Sequence, residues 1–295
     1  MIIYRIFKYL NPFIPFKQKL FERIKTIYTP PHSLFQYLYF KGKIKVDIDH
    51  THAFYIHHYG RGFEIENEAF WLGLKGGWEK VSTQLWIELC KNAKVIFDIG
   101  ANTGIYSLIA QSINERTLVY AFEPVDRVFD KLALNCSENN YNVHCIKVAV
   151  SNYDGEGIIY DLKQKHIYSV TVNKNLHSKD KKVIEKKIIT RKLSTFVQEN
   201  NIGKIDLMKI DVETYEPEVL QGMEGLIEKY KPTMLIEILN DEVAKRIEEI
   251  ILGKDYLFFN IDEKNRPRLV SHLTKSDFFN FLLCNKNTAS QLGLI

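Results

Sequence analysis

Between residues 94 and 252, short apolar runs alternate with segments whose apolar positions recur every three to four residues. In chain order the runs are KVIFDIG, LVYAFEP, VHCIKVAV, IDLMKIDVE and TMLIEIL. Helical spacing begins near Thr103 and near Pro217, and it also extends over residues 127–139 and 242–252. Strands that alternate with helices predict crossover connections and a parallel sheet, and near-continuous apolar strands predict burial of both faces. The pattern therefore predicts an α/β fold with a doubly wound, mostly parallel sheet.

Two later stretches depart from this alternation. Residues 151–190 contain the strand-like pieces GIIYDL, YSVTV and KVIEKKIIT and a lysine-rich turn at residues 179–182, which together predict a β insertion. The runs DYLFFNID and NFLLCNK are separated by the polar loop 263–268 and a short segment. We expect these two runs to form an antiparallel pair that closes the sheet.

Residues 1–89 have a different pattern, and we expect them to form a smaller helical and β region that covers the acceptor side of a domain over residues 90–295. LFQYLYF, a Lys-Gly turn and KIKVDID predict a hairpin. After Pro15, a helical pattern places apolar side chains on one face (Leu20, Phe21, Ile24, Ile27, Tyr28) and basic ones on the other (Lys17, Lys19, Arg23, Lys25). We expect the apolar face to pack on the main domain. Peripheral contact of residues 1–28 with an anionic membrane is the alternative.

The composition is that of a globular protein of 295 residues, with 45% hydrophobic and 26% charged residues. A net charge of +4 is too small an excess to predict a nucleic-acid partner. The four cysteines (Cys90, Cys136, Cys145, Cys284) form no C-x-x-C pair, so we expect reduced thiols rather than disulfides. Arg5, Lys8 and two prolines interrupt the apolar N-terminus, so we expect neither secretion nor a membrane span but a cytoplasmic protein, with the inner face of the membrane as a possible site.

The strand KVIFDIG leads through a tight turn to Gly104 and an apolar helix. A strand, a glycine turn and a helix N-terminus predict a ligand site at the carboxyl edge of the sheet. The dinucleotide fingerprint G-x-G-x-x-G would need glycine at Asn102 and Ile105, so a pyrophosphate has no close backbone approach here. Asp98 would repel a pyrophosphate and suits a ligand with a cationic group. A nicotinamide dinucleotide is therefore the less favoured ligand.

The second strand ends in Glu123-Pro124. An acid at this point can accept hydrogen bonds from both ribose hydroxyls of a nucleoside. The alternative is an acid that stabilises the N-terminus of the following helix through the helix dipole.

The strand IDLMKID ends in a pair of acids, Asp211 and Glu213. If the chain stays extended, both side chains point to the same side, together with Lys209. Two such carboxylates can divide proton removal and orientation between them, so we assign Asp211 as base or orienting residue and Glu213 as its partner. The alternative is a strand-end ion pair and a helix cap before Pro217. Glu237, after TMLIEIL, is a less favoured base.

The N-terminal region contains a cluster of possible metal ligands: Asp47, Asp49, His50, His52, His57 and His58. His50 and His52 would share a strand face, but no fixed metal spacing is matched, so we expect no metal. An acceptor-binding or structural role is favoured. Phe70, Trp71 and Trp78 would either stack on a sugar ring or belong to the core.

Three motifs together resemble the FkbM family of S-adenosylmethionine-dependent methyltransferases, which have the class I fold. They are DIGANTG at residues 98–104, AFEP at 121–124, and KIDVE at 209–213 followed by YEPEVLQG at 215–222. The resemblance covers about residues 94–240. It implies a seven-stranded sheet with an antiparallel last strand, S-adenosylmethionine as cofactor, and methyl transfer to a hydroxyl, often of a sugar or secondary metabolite.

The resemblance also implies which residues bind the cofactor: Asp98, Gly100, Ala101, Asn102, Gly104, Glu123 and Pro124. Glu79 is a weaker candidate for the methionine end of the cofactor. One departure is Thr214, where the family usually has glycine. A β-branched residue resists the positive φ that glycine allows, so the geometry around Glu213 is expected to differ locally.

The sequence thus predicts an S-adenosylmethionine-dependent O-methyltransferase acting on a hydroxyl of a sugar, glycan or small metabolite. The alternatives are a nicotinamide-dependent oxidoreductase and a non-catalytic module that binds S-adenosylmethionine. The expected partner is a small-molecule or glycan acceptor, without nucleic acid.

Overall fold

The computed structural model describes residues 14–162 and 183–295. The chain divides into two compact units, Met1–Lys80 and Val81–Ile295. The predicted boundary between residues 89 and 90 stays a prediction. The predicted strand YSVTV, the lysine-rich turn and the first 13 residues lie outside the described residues.

The helices, in chain order, are α1 Lys17–Ile27, α2 His32–Phe35, α3 Glu64–Leu72, α4 Lys80–Cys90, α5 Ile105–Ile113, α6 Asp126–Glu138, α7 Leu193–Glu199, α8 Glu216–Gln221, α9 Leu226–Tyr230, α10 Asp241–Ile251 and α11 Lys286–Gln291. The strands are β1 Gly42–Asp47, β2 Ala53–His58, β3 Val95–Ile99, β4 Leu118–Phe122, β5 Val143–Ile146, β6 Ala149–Val150, β7 Gly155–Leu162, β8 Val183–Arg191, β9 Leu207–Ile210, β10 Thr233–Glu237, β11 Leu257–Ile261, β12 Pro267–Val270 and β13 Asn280–Cys284.

The N-terminal unit contains a two-stranded antiparallel sheet and an aromatic core. The predicted hairpin is wrong in its pairing, because β1 pairs with the later strand β2 and LFQYLYF forms no strand. The buried residues of that run are Phe35, Leu38 and Phe40, a spacing that does not alternate as a strand requires. Phe40 packs at 6.3 Å from Phe21 between ring centroids, and Phe21 lies 5.6 Å from Trp71.

Helix α1 packs through a narrower face than its periodicity predicts. Of the five apolar residues predicted to pack, only Phe21 is buried. Leu20, Ile27 and Tyr28 are exposed. No helix within the described ranges is long and apolar enough to cross a bilayer.

The second unit is built on an eight-stranded sheet of order β12-β11-β13-β10-β9-β3-β4-β5. The pairs from β5 to β10 are parallel, and β13 runs antiparallel between β10 and β11, so β11 has the common direction. The doubly wound, mostly parallel fold is confirmed, as is the antiparallel pairing of DYLFFNID with NFLLCNK.

The sheet has one strand more than the seven expected. After β11, the turn is held by Asp262, whose carboxylate accepts hydrogen bonds from the N–H groups of Lys264 (2.9 Å) and Asn265 (3.2 Å). The chain then returns as β12, which starts at Pro267 opposite Ile261. Proline lacks an N–H donor and is tolerated at the start of an edge strand, so the segment read as a polar loop extends the sheet.

The predicted β insertion is present in its described part. Strands β7 and β8 pair antiparallel, and β8 pairs parallel with the short strand β6, which gives a separate three-stranded sheet. The main core lies between the large sheet and its helices. One cluster of buried hydrophobic residues in it includes Phe97, Phe122, Met208, Leu220 and Phe281.

Candidate active site at the carboxyl edge of the sheet

Four neighbouring parallel strands end at the same level. Ile99 of β3 lies opposite Phe122 of β4 and Ile210 of β9, and Ile210 lies opposite Ile236 of β10. The N–H of Asp211 continues this register by donating to the carbonyl of Ile99 at 3.0 Å. The predicted cofactor loop and the predicted acidic pair therefore emerge side by side at one edge.

The loop after β3 is a tight turn that depends on glycine. Gly100 has φ 78°, and a Cβ at this position would lie 1.8 Å from the carbonyl oxygen of Asp211. The N–H groups of Gly100 and Ala101 both donate to the carbonyl of Phe122 at 3.0 Å. Gly104, at φ 93°, is the N-cap of α5. The backbone of Asp211 can approach this loop because no side chain stands at Gly100.

Glu123 is a buried carboxylate linked to this loop. It is 6% exposed, and its two oxygens accept hydrogen bonds from the N–H of Asn102 (3.1 Å) and of Val125 (2.9 Å). Burial raises the pKa of Glu123 to about 7, against the lowering effect of these two donors. Pro124 follows it at the end of β4. Glu123 therefore joins the glycine loop to the start of α6 from inside the protein.

Asp98 lies within β3 and is 1% exposed. Its carboxylate accepts a hydrogen bond of 2.6 Å from the hydroxyl of Ser107. Burial raises its pKa to about 6, and the Ser107 hydroxyl and the charge of Lys209, its register partner on β9, oppose that shift.

Lys209 is a fully buried lysine that pairs with Asp211. Its Nζ lies 3.1 Å from Oδ2 of Asp211 and 5.1 Å from the ring centroid of Tyr106. The carbonyl of Tyr106 accepts a hydrogen bond of 2.9 Å from the indole N–H of Trp86, which holds the backbone of α5 at Tyr106 in place. A buried cation needs charge compensation, and Asp211 supplies it, so the predicted pairing of Lys209 with an acid is present.

The segment after Asp211 is not extended. Glu213 and Thr214 have φ 54° and φ 76°, so the expectation that Asp211 and Glu213 point the same way as alternate strand residues does not hold. Oε1 of Glu216 accepts hydrogen bonds from the N–H groups of Val212 (3.1 Å) and Thr214 (3.3 Å) and thereby holds the turn. Thr214 thus adopts the positive φ that glycine would favour.

Three glutamates around this turn have raised pKa values. Burial, followed by the charge of Asp211, raises the pKa of Glu213 to about 7. Burial raises the pKa of Glu216 to about 8 against its hydrogen bonds. The pKa of Glu237, at the end of β10, rises to about 10 through burial and then the charge of Asp211. Strongly perturbed carboxyl groups that cluster at a strand edge are typical of active sites.

The candidate residues of the N-terminal unit have mainly structural contacts. His50 and His52 lie in the loop between β1 and β2, not on a strand face. Asp49 accepts hydrogen bonds there from the N–H groups of Thr51 (2.7 Å) and His52 (2.8 Å), which closes the loop. His58 is buried and bonded to Asn67 at 3.2 Å.

The aromatic candidates of this unit divide between core and surface. Phe70 and Trp71 are buried core residues, and the indole N–H of Trp71 donates to the carbonyl of Leu38 at 3.3 Å. Trp78 is half-buried. Glu79 has φ 45° and belongs to the N-terminal unit, so its approach to the cofactor stays a prediction.

The strand order defines the class of protein. Taken from β5 to β11, the sheet has five parallel strands, an antiparallel strand and a further parallel strand, with a glycine turn after β3 and an acid after its neighbour β4. This is the class I methyltransferase fold. A family model described as the methyltransferase FkbM domain matches residues 98–258, more than half of the 295 residues. The chain belongs to the FkbM methyltransferase family, and S-adenosylmethionine is its cofactor.

Several relatives share this similarity. The chain is 26% identical over 215 residues to the hexuronic acid methyltransferase AglP of Haloferax volcanii, covering 70% of this chain and 83% of that protein. The structure of methyltransferase FkbM from Methylobacillus flagellatus KT is 14% identical, with a TM-score of 0.41 over 65% of this chain. The match spans only 43% of that structure's chain. Fibrillarin of Aeropyrum pernix, solved with bound S-adenosyl-L-methionine, is 12% identical over 70% of this chain and 74% of its own, with a TM-score of 0.41.

The edge has groups that fit the cofactor. Glu123 is a buried acid, and each of its oxygens keeps a second acceptor direction beyond the bond described above. Oδ1 of Asn102 is buried and has no hydrogen-bond partner among the described residues. Ribose hydroxyls are donors of the kind that these oxygens accept.

Sequence reasoning missed the residues that support the site from elsewhere in the chain. Ser107 donates a hydrogen bond to Asp98, the ring of Tyr106 lies beside Lys209, and Trp86 donates a hydrogen bond to the carbonyl of Tyr106. No local sequence pattern marks these three residues. Glu216 had a weak signal, because an acid just before Pro217 predicts a helix N-terminus.

Proposed function

We propose that this protein transfers the methyl group of S-adenosylmethionine to a hydroxyl of a sugar, glycan or small metabolite. The observation that carries the proposal is the junction of Gly100 with Asp211, because it brings the cofactor loop against the acids that would serve the acceptor. When bound, S-adenosylmethionine supplies an activated methyl group, so the protein has to position the acceptor and remove its proton.

In this proposal the glycine loop and Glu123 hold the nucleoside. Glu123 would accept hydrogen bonds from the ribose hydroxyls, and the unpartnered Oδ1 of Asn102 would accept another hydrogen bond from the ligand. Gly100, Ala101, Gly104 and Pro124 shape the loop. Asp98, whose Oδ2 accepts a hydrogen bond from Ser107, would act on the cationic end of the cofactor by its charge.

The acids after β9 would divide the remaining work. Asp211 is already paired with Lys209, so it suits orientation of the acceptor hydroxyl. Glu213 has a pKa of about 7, and a base is most effective when its pKa lies near the working pH. We therefore assign proton removal to Glu213 and orientation to Asp211, with Lys209 as the residue that positions Asp211.

A uronic acid is the first acceptor to test. The relative named hexuronic acid methyltransferase supports this choice. The assignment of residues 1–89 to the acceptor side remains a proposal from the sequence.

The test incubates the purified protein with methyl-labelled S-adenosylmethionine and glucuronic acid, glucose or glucosamine. We expect label in glucuronic acid that survives mild alkali, because a methyl ether resists it and a methyl ester does not. Transfer to the amine of glucosamine alone would contradict hydroxyl specificity.

The variant Glu213→Gln tests the assignment of proton removal to Glu213. Removal of a positioned base lowers the rate by about 10²–10⁴-fold, so we expect Glu213→Gln to lower kcat by about 100-fold or more.

The wild-type rate should rise with pH through about 7, because the base must be deprotonated, and this rise should vanish in Glu213→Gln. The exposed change Glu249→Gln is the control. Cofactor binding without transfer to any acceptor would instead favour the non-catalytic module.

A further inference from the structure

Helix α1 exposes an apolar stripe that its own unit does not cover. Leu20 is 42% exposed, Ile27 is 85% exposed, and Phe16, the N-cap residue, is 84% exposed. At 3.6 residues per turn, Leu20, Arg23 and Ile27 lie on one side of the helix. Large apolar side chains exposed together on a helix face indicate an interaction surface.

The opposite side of the helix is anchored. Phe21 is buried against Phe40 and Trp71. The ammonium groups of Lys17 and Lys25 lie 5.2 Å and 5.1 Å from the ring centroids of Tyr39 and Phe70. The exposed stripe is therefore presented by a helix that is fixed to a folded unit.

The charge of the helix restricts what can cover the stripe. Residues 17–27 contain four basic residues (Lys17, Lys19, Arg23, Lys25) and one acidic residue, Glu22. Lys19 and Arg23 are exposed on or beside the stripe. The sequence before the helix adds Arg5 and Lys8 and no acid. A second copy of so basic a helix would bring like charges together, which opposes association.

We propose that α1 binds the surface of an anionic lipid bilayer, with Phe16, Leu20 and Ile27 at the level of the acyl chains and Lys19 and Arg23 at the headgroups. A helix with an apolar stripe and flanking cations lies in the plane of such an interface. The contact is peripheral and independent of the methyl transfer proposed above.

The test is co-sedimentation of the full-length protein with vesicles of phosphatidylcholine alone and of phosphatidylcholine with phosphatidylglycerol. We expect binding to the anionic vesicles, weakened by high salt, and little binding to neutral ones. Lys19→Gln with Arg23→Gln should weaken binding about 25-fold, about fivefold for each cation near an anionic surface. Leu20→Gln with Ile27→Gln should weaken it about tenfold or more.

The control is Leu252→Gln with Leu269→Gln, two leucines exposed elsewhere (76% and 55%), which should leave binding unchanged. Equal loss in the control, equal binding to neutral vesicles, or no binding to anionic vesicles would each overturn the proposal. A dimer that the change at Leu20 and Ile27 dissociates would overturn it in favour of a second copy. Binding of S-adenosylmethionine should be the same in all variants, which separates a lost membrane contact from misfolding.

Discussion

Thr214 is the residue at which sequence and structure conflict most directly. It is buried, β-branched and held at φ 76°, next to Glu213 at φ 54°. Left-handed backbone costs a residue with a Cβ about 1–2 kcal/mol. The hydrogen bonds that the N–H groups of Val212 and Thr214 donate to Glu216 keep the turn in place, so strain is retained beside the proposed base.

This strain predicts an inverted order of stability at position 214. In the middle of a helix or strand, a protein with glycine is ordinarily less stable than one with alanine by about 0.5–1 kcal/mol. We expect Thr214→Gly to be more stable than Thr214→Ala by about 1 kcal/mol in chemical denaturation, because only glycine adopts φ 76° without cost. At Thr288, which lies in helix α11, alanine should be the more stable of the two. The usual order at both positions would exclude strain at Thr214.

At the scale of elements, the turn from β3 to α5 joins the two halves of the site. It tolerates no side chain at Gly100, where a Cβ would lie 1.8 Å from the backbone of Asp211. We expect Gly100→Ala to lower the free energy of unfolding by about 3 kcal/mol or more, from the positive φ together with the overlap. It should also weaken binding of S-adenosylmethionine measured by calorimetry.

Two other glycines separate these causes. Gly253 also has a positive φ (72°), but a Cβ there would meet nothing within 4 Å, so Gly253→Ala should cost only about 1–2 kcal/mol. A Cβ at Gly203 would likewise meet nothing, and no positive φ applies, so Gly203→Ala should be nearly neutral. If Gly100→Ala cost no more than Gly253→Ala, the close approach to Asp211 would be refuted.

For the whole molecule, the buried acids predict a pH-dependent stability. Glu123, Glu213 and Glu216 have folded-state pKa values of about 7, 7 and 8, above the value of about 4.3 expected for an unfolded chain. The folded state therefore binds protons that the unfolded state has released, and the free energy of unfolding falls as the pH rises. We expect the ligand-free protein to have a lower Tm at pH 8.5 than at pH 6.5.

Glu216→Gln should reduce the fall in the free energy of unfolding between pH 6.5 and pH 8.5 by about 1–2 kcal/mol, because glutamine replaces the protonated acid without titrating. Glu249→Gln, an exposed change, should leave it intact. The titration of His58, whose pKa burial lowers to about 4, has the opposite sign but acts mainly below pH 6.5. A Tm that is constant or rises over this range would contradict the raised pKa values.

The sequence alone determined the order and type of most elements from residue 94 onward, and the position of the cofactor loop. Periodicity is a local property, so KVIFDIG, LVYAFEP and TMLIEIL could be recognised as buried strands without knowledge of their neighbours. Gly100 and Gly104 could be identified because the motif DIGANTG specifies residue types at fixed spacing. The antiparallel closing pair followed in the same way.

Only the tertiary structure decided the contacts within the site and the environment of each charge. Asp211 compensates the charge of Lys209 because Lys209 is buried on β9 beside β3, and the pKa of Glu213 is raised because packing removes its carboxyl group from water. Thr214 adopts a left-handed backbone that a β-branched residue disfavours, and α1 exposes apolar side chains that its periodicity predicts to be buried. Such features depend on desolvation and on contacts between residues distant in the chain, and a local pattern contains neither.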